Sequence, residues 1–266
     1  MAGKRKRRYG QHFLIDENII QNIMDNVSPL NSDYFFEIGC GRGAITYPIA
    51  RACKSLQALE IDPKMINLTS KHKDFDQLQI AITQGDILNT DLSQLLIHHT
   101  SYRLIGNLPY NISTEIIFRL IEHRDKFKDA HIMVQKEVAD RLLALPNSKK
   151  YGRLTIFSGL WLTFEKLFDI YPDSFSPPPL VDSTFLRVKF LDDIKYKIHD
   201  MKKYRAMINQ AFSMRRKTIA KSLSNLITRD ELIQIGIDPM ARPENISPNN
   251  FVILANYLAK LADQHE

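Results

Sequence analysis

Cysteine is almost missing from this 266-residue chain: only Cys40 and Cys53 occur, and they form no C-x-x-C pair. That excludes a disulfide scaffold and a cysteine-built zinc site, and it points to a reducing compartment. The eight histidines are scattered, with no H-x-x-x-H or H-E-x-x-H spacing, so no metal site is expected. Tryptophan occurs once, at Trp161, in an apolar stretch that reads as core. No apolar run reaches the ~18 residues that a membrane-crossing helix requires. The basic start runs into Tyr9-Gly-Gln-His-Phe-Leu-Ile-Asp-Glu17, which lacks the apolar centre of a signal peptide. A cytosolic protein with no membrane partner is the expectation.

What is present is an ordinary globular composition with unevenly placed charge. The net charge is +6. Residues 1–12 hold five basic residues and no acid, and residues 191–266 hold 12 Lys/Arg against 9 Asp/Glu. The centre is close to neutral. A polyanion contacted from both ends of the chain fits this distribution, and nucleic acid is the obvious candidate. Lys4-Arg-Lys-Arg-Arg8 reads as a solvated tail that can still touch phosphate.

The middle of the chain reads as a nucleotide-binding α/β domain. Tyr34-Phe-Phe-Glu-Ile38 is a buried strand leading into Gly39-Cys-Gly-Arg-Gly43 and a helix. A second strand ends at Glu60 and Asp62, about twenty residues past the glycines. Gly39 and Gly41 would let a ligand approach the backbone, and Glu60 would accept hydrogen bonds from ribose hydroxyls. The spacing G-x-G-x-G departs from the dinucleotide pattern, and a preceding Glu37 suits a cationic nucleoside such as S-adenosylmethionine better than a pyrophosphate. A third strand leads to Gly85-Asp86, where Asp86 could take an adenine amine.

A fourth strand ends in Asn107-Leu-Pro-Tyr110. Pro109 fixes its own φ and forces Leu108 to be extended, so Asn107 and the Leu108 carbonyl can point the same way. Two acceptors beside the Tyr110 ring suit a planar base carrying an exocyclic amine. A helix follows, with Ser113 expected as its N-cap. Near 175–183, three prolines stiffen Phe175-Ser-Pro-Pro-Pro-Leu-Val-Asp-Ser183. Phe175 is either a second aromatic wall opposite Tyr110 or a core residue. From Leu191 the periodicity is helical, and Arg215, Arg216, Lys217 and Lys221 are expected to stud one basic helix edge.

Together these residues resemble the ribosomal RNA adenine N6,N6-dimethyltransferase family. The resemblance rests on Gly10-Gln-His-Phe-Leu14, Glu37-Ile-Gly-Cys-Gly-Arg-Gly43, Glu60-Ile-Asp62, Gly85-Asp86, Asn107-Leu-Pro-Tyr110, Gln135-Lys-Glu-Val138 and Phe175-x-Pro-Pro-Pro-x-Val-Asp-Ser183. Met214-Arg-Arg-Lys-Thr218 and Arg242-Pro-Glu-Asn-Ile-Ser247 are similar to the bacterial small-subunit branch. His12 stands where the family more often has Asn, and Cys40 where this branch often has Pro.

The resemblance implies a Rossmann-like α/β methyltransferase sheet with an antiparallel last strand over residues 1–190, including a basic tail at 1–9. It also implies a helical RNA-binding domain over 191–266. S-adenosylmethionine would be held by His12, Leu14, Gly39, Gly41, Glu60, Asp86 and Asn107. Catalysis would fall to Asn107, Leu108, Tyr110 and Phe175. The implied activity is N6 dimethylation of two adjacent adenines in the 3′-terminal hairpin loop of 16S rRNA, in a small-subunit precursor, by a monomer. Rival readings are a large-subunit (23S) rRNA methylase conferring antibiotic resistance and a non-catalytic ribosome-assembly factor on the same fold.

Overall fold

The structure is a computed structural model that describes residues 11–97 and 101–263. The basic run at 4–8 lies outside the described residues. Two compact units emerge: residues 1–139 with 162–192, and residues 140–161 with 193–266.

The first unit is built on a seven-stranded sheet. The short strand β1 (Phe13–Leu14) and helix α1 (Glu17–Val27) precede it. Its strands are β2 (Tyr34–Ile38), β3 (Ser55–Glu60), β4 (Ile80–Gln84), β5 (Tyr102–Asn107), β6 (Phe127–Gln135), β7 (Leu162–Ile170) and β9 (Ser183–Phe190). The spatial order is β4-β3-β2-β5-β6-β9-β7. The first five run parallel, while β9 lies antiparallel to both β6 and β7. The inner strands β2 and β5 are buried along nearly their whole length, as helix-covered parallel strands are. The helices of this unit include α2 (Thr46–Ala52), α3 (Pro63–Ser70), α4 (Leu92–Leu95) and α5 (Ser113–Glu122). The ligand-facing edge of such a sheet lies at the carboxyl ends of its strands, where the chain order reverses beside β2 and β5.

Local chemistry fixes the ends of these elements. The Asp16 carboxylate accepts the amides of Asn18 and Ile19 and starts α1. Ser28 then ends it in a left-handed conformation before Pro29. Ser113 is not the N-cap that its position suggested. Its hydroxyl donates back to the Tyr110 carbonyl at 3.4 Å, so the helix begins after Ile112 with no side-chain cap.

One buried cation ties the unit together. Arg103, 8% exposed on β5, pairs with Asp33 at 2.9 Å and Asp129 at 3.0 Å. It also donates to the carbonyls of Val27 and Ser28. Burial works against the Asp33 carboxylate, but Arg103 holds its pKa below the usual value. A buried guanidinium satisfied on every side fixes geometry more than it adds stability. Here it registers α1 and β6 against the strand that ends in Asn107.

The second unit is helical: α7 (Arg153–Ser158), α8 (Met201–Ser213), α9 (Ile219–Ser222), α10 (Arg229–Gln234) and α11 (Pro248–Asp263), with the end of α6 (Lys136–Leu142). Tyr151, Ile156, Tyr204, Ile208, Leu223, Phe251 and Leu254 form its core. The expected boundary at 190/191 therefore omits one piece. Residues 140–161 belong to the helical unit, because Tyr151 and Ile156 are 1% exposed in its core and the Tyr151 hydroxyl donates to the Ile246 carbonyl at 3.0 Å. The basic run is also placed differently. Residues 214–217 form a turn between α8 and α9, closed by Lys217 N–H on the Met214 carbonyl at 2.8 Å, and not a helix edge.

Candidate active site

A cleft in the sheet unit is bounded by residues 11–14, the glycine loop after β2, the ends of β3 and β4, and the Asn107–Tyr110 segment after β5. Among the residues that the sequence suggested, His12, Leu14, Gly39, Gly41, Glu60, Asp86, Asn107, Leu108 and Tyr110 all line it.

The glycine loop is shaped by Glu60. One carboxylate oxygen accepts the Gly41 amide at 3.0 Å, and the other accepts the Asp62 amide at 2.9 Å. Gly41 has φ +52°, and an added Cβ would come within 3.2 Å of the Phe13 ring. That ring carries the Arg42 guanidinium on its face, 4.5 Å from the centroid. Asp86 is held by the amide of Leu88 at 2.9 Å and the side chain of Asn89 at 2.7 Å. These carboxylates are oriented by the fold itself.

The Asn107 amide is oriented as well. Its Nδ2 donates to the His12 carbonyl at 3.0 Å. A carbonyl can only accept, so the amide nitrogen must face it, and Oδ1 is the atom presented elsewhere. Leu108 N–H donates to the Met133 carbonyl at 3.0 Å, and the Leu108 side chain is 1% exposed. Among the described residues no donor is bonded to Asn107 Oδ1 or to the Leu108 carbonyl.

Tyr110 is half-buried and its hydroxyl shares a short hydrogen bond with Ser183. Burial raises the phenol pKa, so it stays neutral. The ring stacked on Tyr110 is His12, at 5.6 Å and 20°. His12 Nδ1 is in turn bonded to the Pro177 carbonyl at 2.7 Å.

Phe175 departs from the expectation of an aromatic wall. It is 2% exposed in the core with Leu14, Met133, Ile170 and Phe185, and it does not line the cleft. The two-residue strand β8 (Phe175–Ser176) pairs with β1 in the register Leu14↔Phe175, which commits this residue to the interior. The basic residues of the helical unit also divide. Arg215 is half-buried and spent on Glu244 at 2.7 Å, with a second bond to the Lys149 carbonyl. Arg216, Lys217 and Lys221 are exposed.

Phe13 lies in the segment 12–14 that the resemblance assigned to the cofactor, and it lines the cleft; sequence reasoning gave the side chains of Arg42 and Ser183 no part in this arrangement. Ser183 gives no local signal, since its partner lies 73 residues away.

The cleft lining fits a cationic nucleoside. Glu37, Glu60 and Asp86 face it, against Arg42 as the one Lys/Arg side chain among the described residues of the lining. Glu37 is 2% exposed, and its Oε2 has no hydrogen-bond partner among the described residues. Burial, with the charge of Glu60 adding to it, pushes the Glu37 carboxyl up to about 7. A ligand carrying positive charge relieves that cost by favouring the carboxylate.

The sheet order, the reversed β9 and the acidic glycine-loop cleft define the class: a methyltransferase that uses S-adenosylmethionine. A family model described as Ribosomal RNA adenine dimethylase matches residues 2–260. The chain is 38% identical over 251 residues to the Ribosomal RNA small subunit methyltransferase A of Shewanella sp. (strain MR-7), covering 94% of this chain and 93% of that one. A dimethyladenosine transferase from Plasmodium falciparum superposes with a TM-score of 0.80 at 27% identity, over 94% of this chain and 98% of that chain. The 23S rRNA methyltransferase ErmE superposes with a TM-score of 0.70 at 22% identity, over 93% and 99%. At that identity the last likeness concerns the fold alone. The chain belongs to the ribosomal RNA adenine dimethylase family.

Proposed function

We propose that this enzyme dimethylates N6 of two adjacent adenines in the 3′-terminal hairpin loop of 16S rRNA, acting as a cytosolic monomer on a small-subunit precursor. The observation that carries the reading is the Asn107 amide, held by the His12 carbonyl so that Oδ1 is left as an acceptor beside the Leu108 carbonyl and the Tyr110 ring. The small-subunit substrate is supported by the relatives' names.

S-adenosylmethionine, when bound, supplies an electrophilic methyl group on a sulfonium. Glu37, Glu60 and Asp86 would hold it, with Gly39, Gly41, His12 and Leu14 forming the walls. The exocyclic nitrogen of adenine is a poor nucleophile because its lone pair is delocalised into the ring. Asn107 Oδ1 and the Leu108 carbonyl would accept its N–H groups, favour a pyramidal nitrogen and stabilise the positive charge that develops there as the methyl's bond to sulfur breaks. That is fixed-dipole stabilisation combined with positioning. Release of one N6 proton to water then removes that charge before a second methyl is taken. Tyr110 offers a face for stacking, and its Ser183 bond keeps the ring in place. The adenine must leave its stack to arrive, which costs least in a loop. Arg216, Lys217 and Lys221 would contact phosphate.

Incubation with unmethylated small subunits and labelled cofactor tests the reading. The expected result is about four methyl groups on two adjacent adenines, since each N6 that enters the flipped-base pocket takes two. Label on large-subunit RNA, or no transfer, would overturn it.

A further inference from the structure

The loop from Pro177 to Ser183 is fixed at both ends to the two rings of the site. At one end the Pro177 carbonyl binds His12 Nδ1 at 2.7 Å. At the other, the Ser183 hydroxyl binds Tyr110, and the Asp182 carbonyl accepts the Lys136 amide at 3.0 Å. Pro179 is buried between these anchors. Leu180 follows it, three residues from each end, with its side chain 101% exposed. Three extended residues span at most about 10–11 Å, so Leu180 stands within that distance of both anchors.

A fully exposed leucine on a proline-stiffened loop has no role in holding this fold. We propose that Leu180 is a wedge that enters the RNA stack beside the extruded adenine and fills the space that the base leaves. This is a positioning role that rests on the RNA-methylating activity proposed above. Proteins that distort stacked nucleic acid use apolar side chains for this purpose, because an apolar group covers the exposed base faces without competing for their hydrogen bonds. The rigid loop keeps the wedge at a fixed distance from the Tyr110 face, so insertion of one and capture of the adenine by the other become a single event. His12 and Tyr110 stack on each other, which gives the extruded adenine an aromatic surface to slide against.

The test compares the parent protein with Leu180→Ser and Leu180→Met. Single-turnover methyl transfer is measured on unmethylated small subunits. Emission is measured from 2-aminopurine placed at the target position of the hairpin RNA, since unstacking raises its signal. Leu180→Ser is expected to slow transfer about tenfold and to lower the 2-aminopurine signal, with cofactor affinity and melting temperature unchanged; Leu180→Met is expected to keep both. These expectations follow from a wedge that offsets part of the unstacking cost. Equal rates and equal emission for Leu180→Ser and the parent would overturn the wedge. Absence of transfer by the parent itself would instead overturn the activity on which it rests.

Discussion

Replacing Asn107 by alanine removes the acceptor on which the proposed chemistry turns. Two separable effects follow. The first is loss of the Nδ2 bond to the His12 carbonyl at 3.0 Å. One half-buried neutral hydrogen bond contributes about 1 kcal/mol, or about 2–4 °C in melting temperature for a unit of this size. The second is loss of Oδ1 from the developing positive charge. Removal of one such fixed dipole costs about 10²- to 10³-fold in kcat, or about 3–4 kcal/mol of barrier. The catalytic effect therefore exceeds the structural one severalfold.

Asn107→Asp sharpens the test. It supplies oxygen in place of the amide but no N–H, so one carboxylate oxygen would meet the His12 carbonyl oxygen, and the side chain would turn away. It is not expected to rescue activity. The assay is single-turnover transfer to unmethylated small subunits at saturating cofactor, with cofactor affinity measured by calorimetry alongside. A rate within threefold of the parent for Asn107→Ala would refute the reasoning, whatever the glycine loop binds.

Four other outcomes are expected. Gly106→Ala places a Cβ 2.8 Å from the Ile38 carbonyl, inside the β2–β5 pairing; denaturant unfolding should show a loss of about 1–3 kcal/mol, typical of overpacking. The Glu37 carboxyl titrates at about 7 in the fold against an ordinary 4.5, so the folded state holds the extra proton between those values. Its contribution to stability is present below about pH 4.5 and falls by about 3 kcal/mol as pH rises to about 7. Glu37→Gln should flatten that part of a urea stability profile, and an unchanged slope would contradict the assignment. Alanine at Arg216, Lys217 and Lys221 together should reduce the salt dependence of RNA affinity by about 2–3 in the log–log slope, whereas Arg215→Ala should lower melting temperature through loss of the Glu244 pair.

The strand ends were legible in the sequence because a buried parallel strand is an apolar run that stops abruptly. Phe35 and Phe36 before the glycine loop and Leu104 and Ile105 before Asn107 are 0% exposed, as such runs require. The residues lining the cleft at those ends were legible for the same reason, since Glu60, Asp86 and Asn107 stand where the apolar run stops. Orientation was not. Asn107 is turned by a carbonyl 95 residues earlier, and His12 by a carbonyl 165 residues later. A backbone carbonyl is the same on every residue, so no residue type announces it. Phe175 shows the same gap: its side was decided by pairing with a two-residue strand, too short to carry a period of two. Arg215 differs from Arg216 in having Glu244 and the Lys149 carbonyl within reach. The residue types at this site follow from strand patterning, whereas the directions of Asn107 and His12 follow from bonds to the short segments 12–14 and 175–177. A change in either segment should therefore alter the rate of transfer more than the stability of the sheet beneath it.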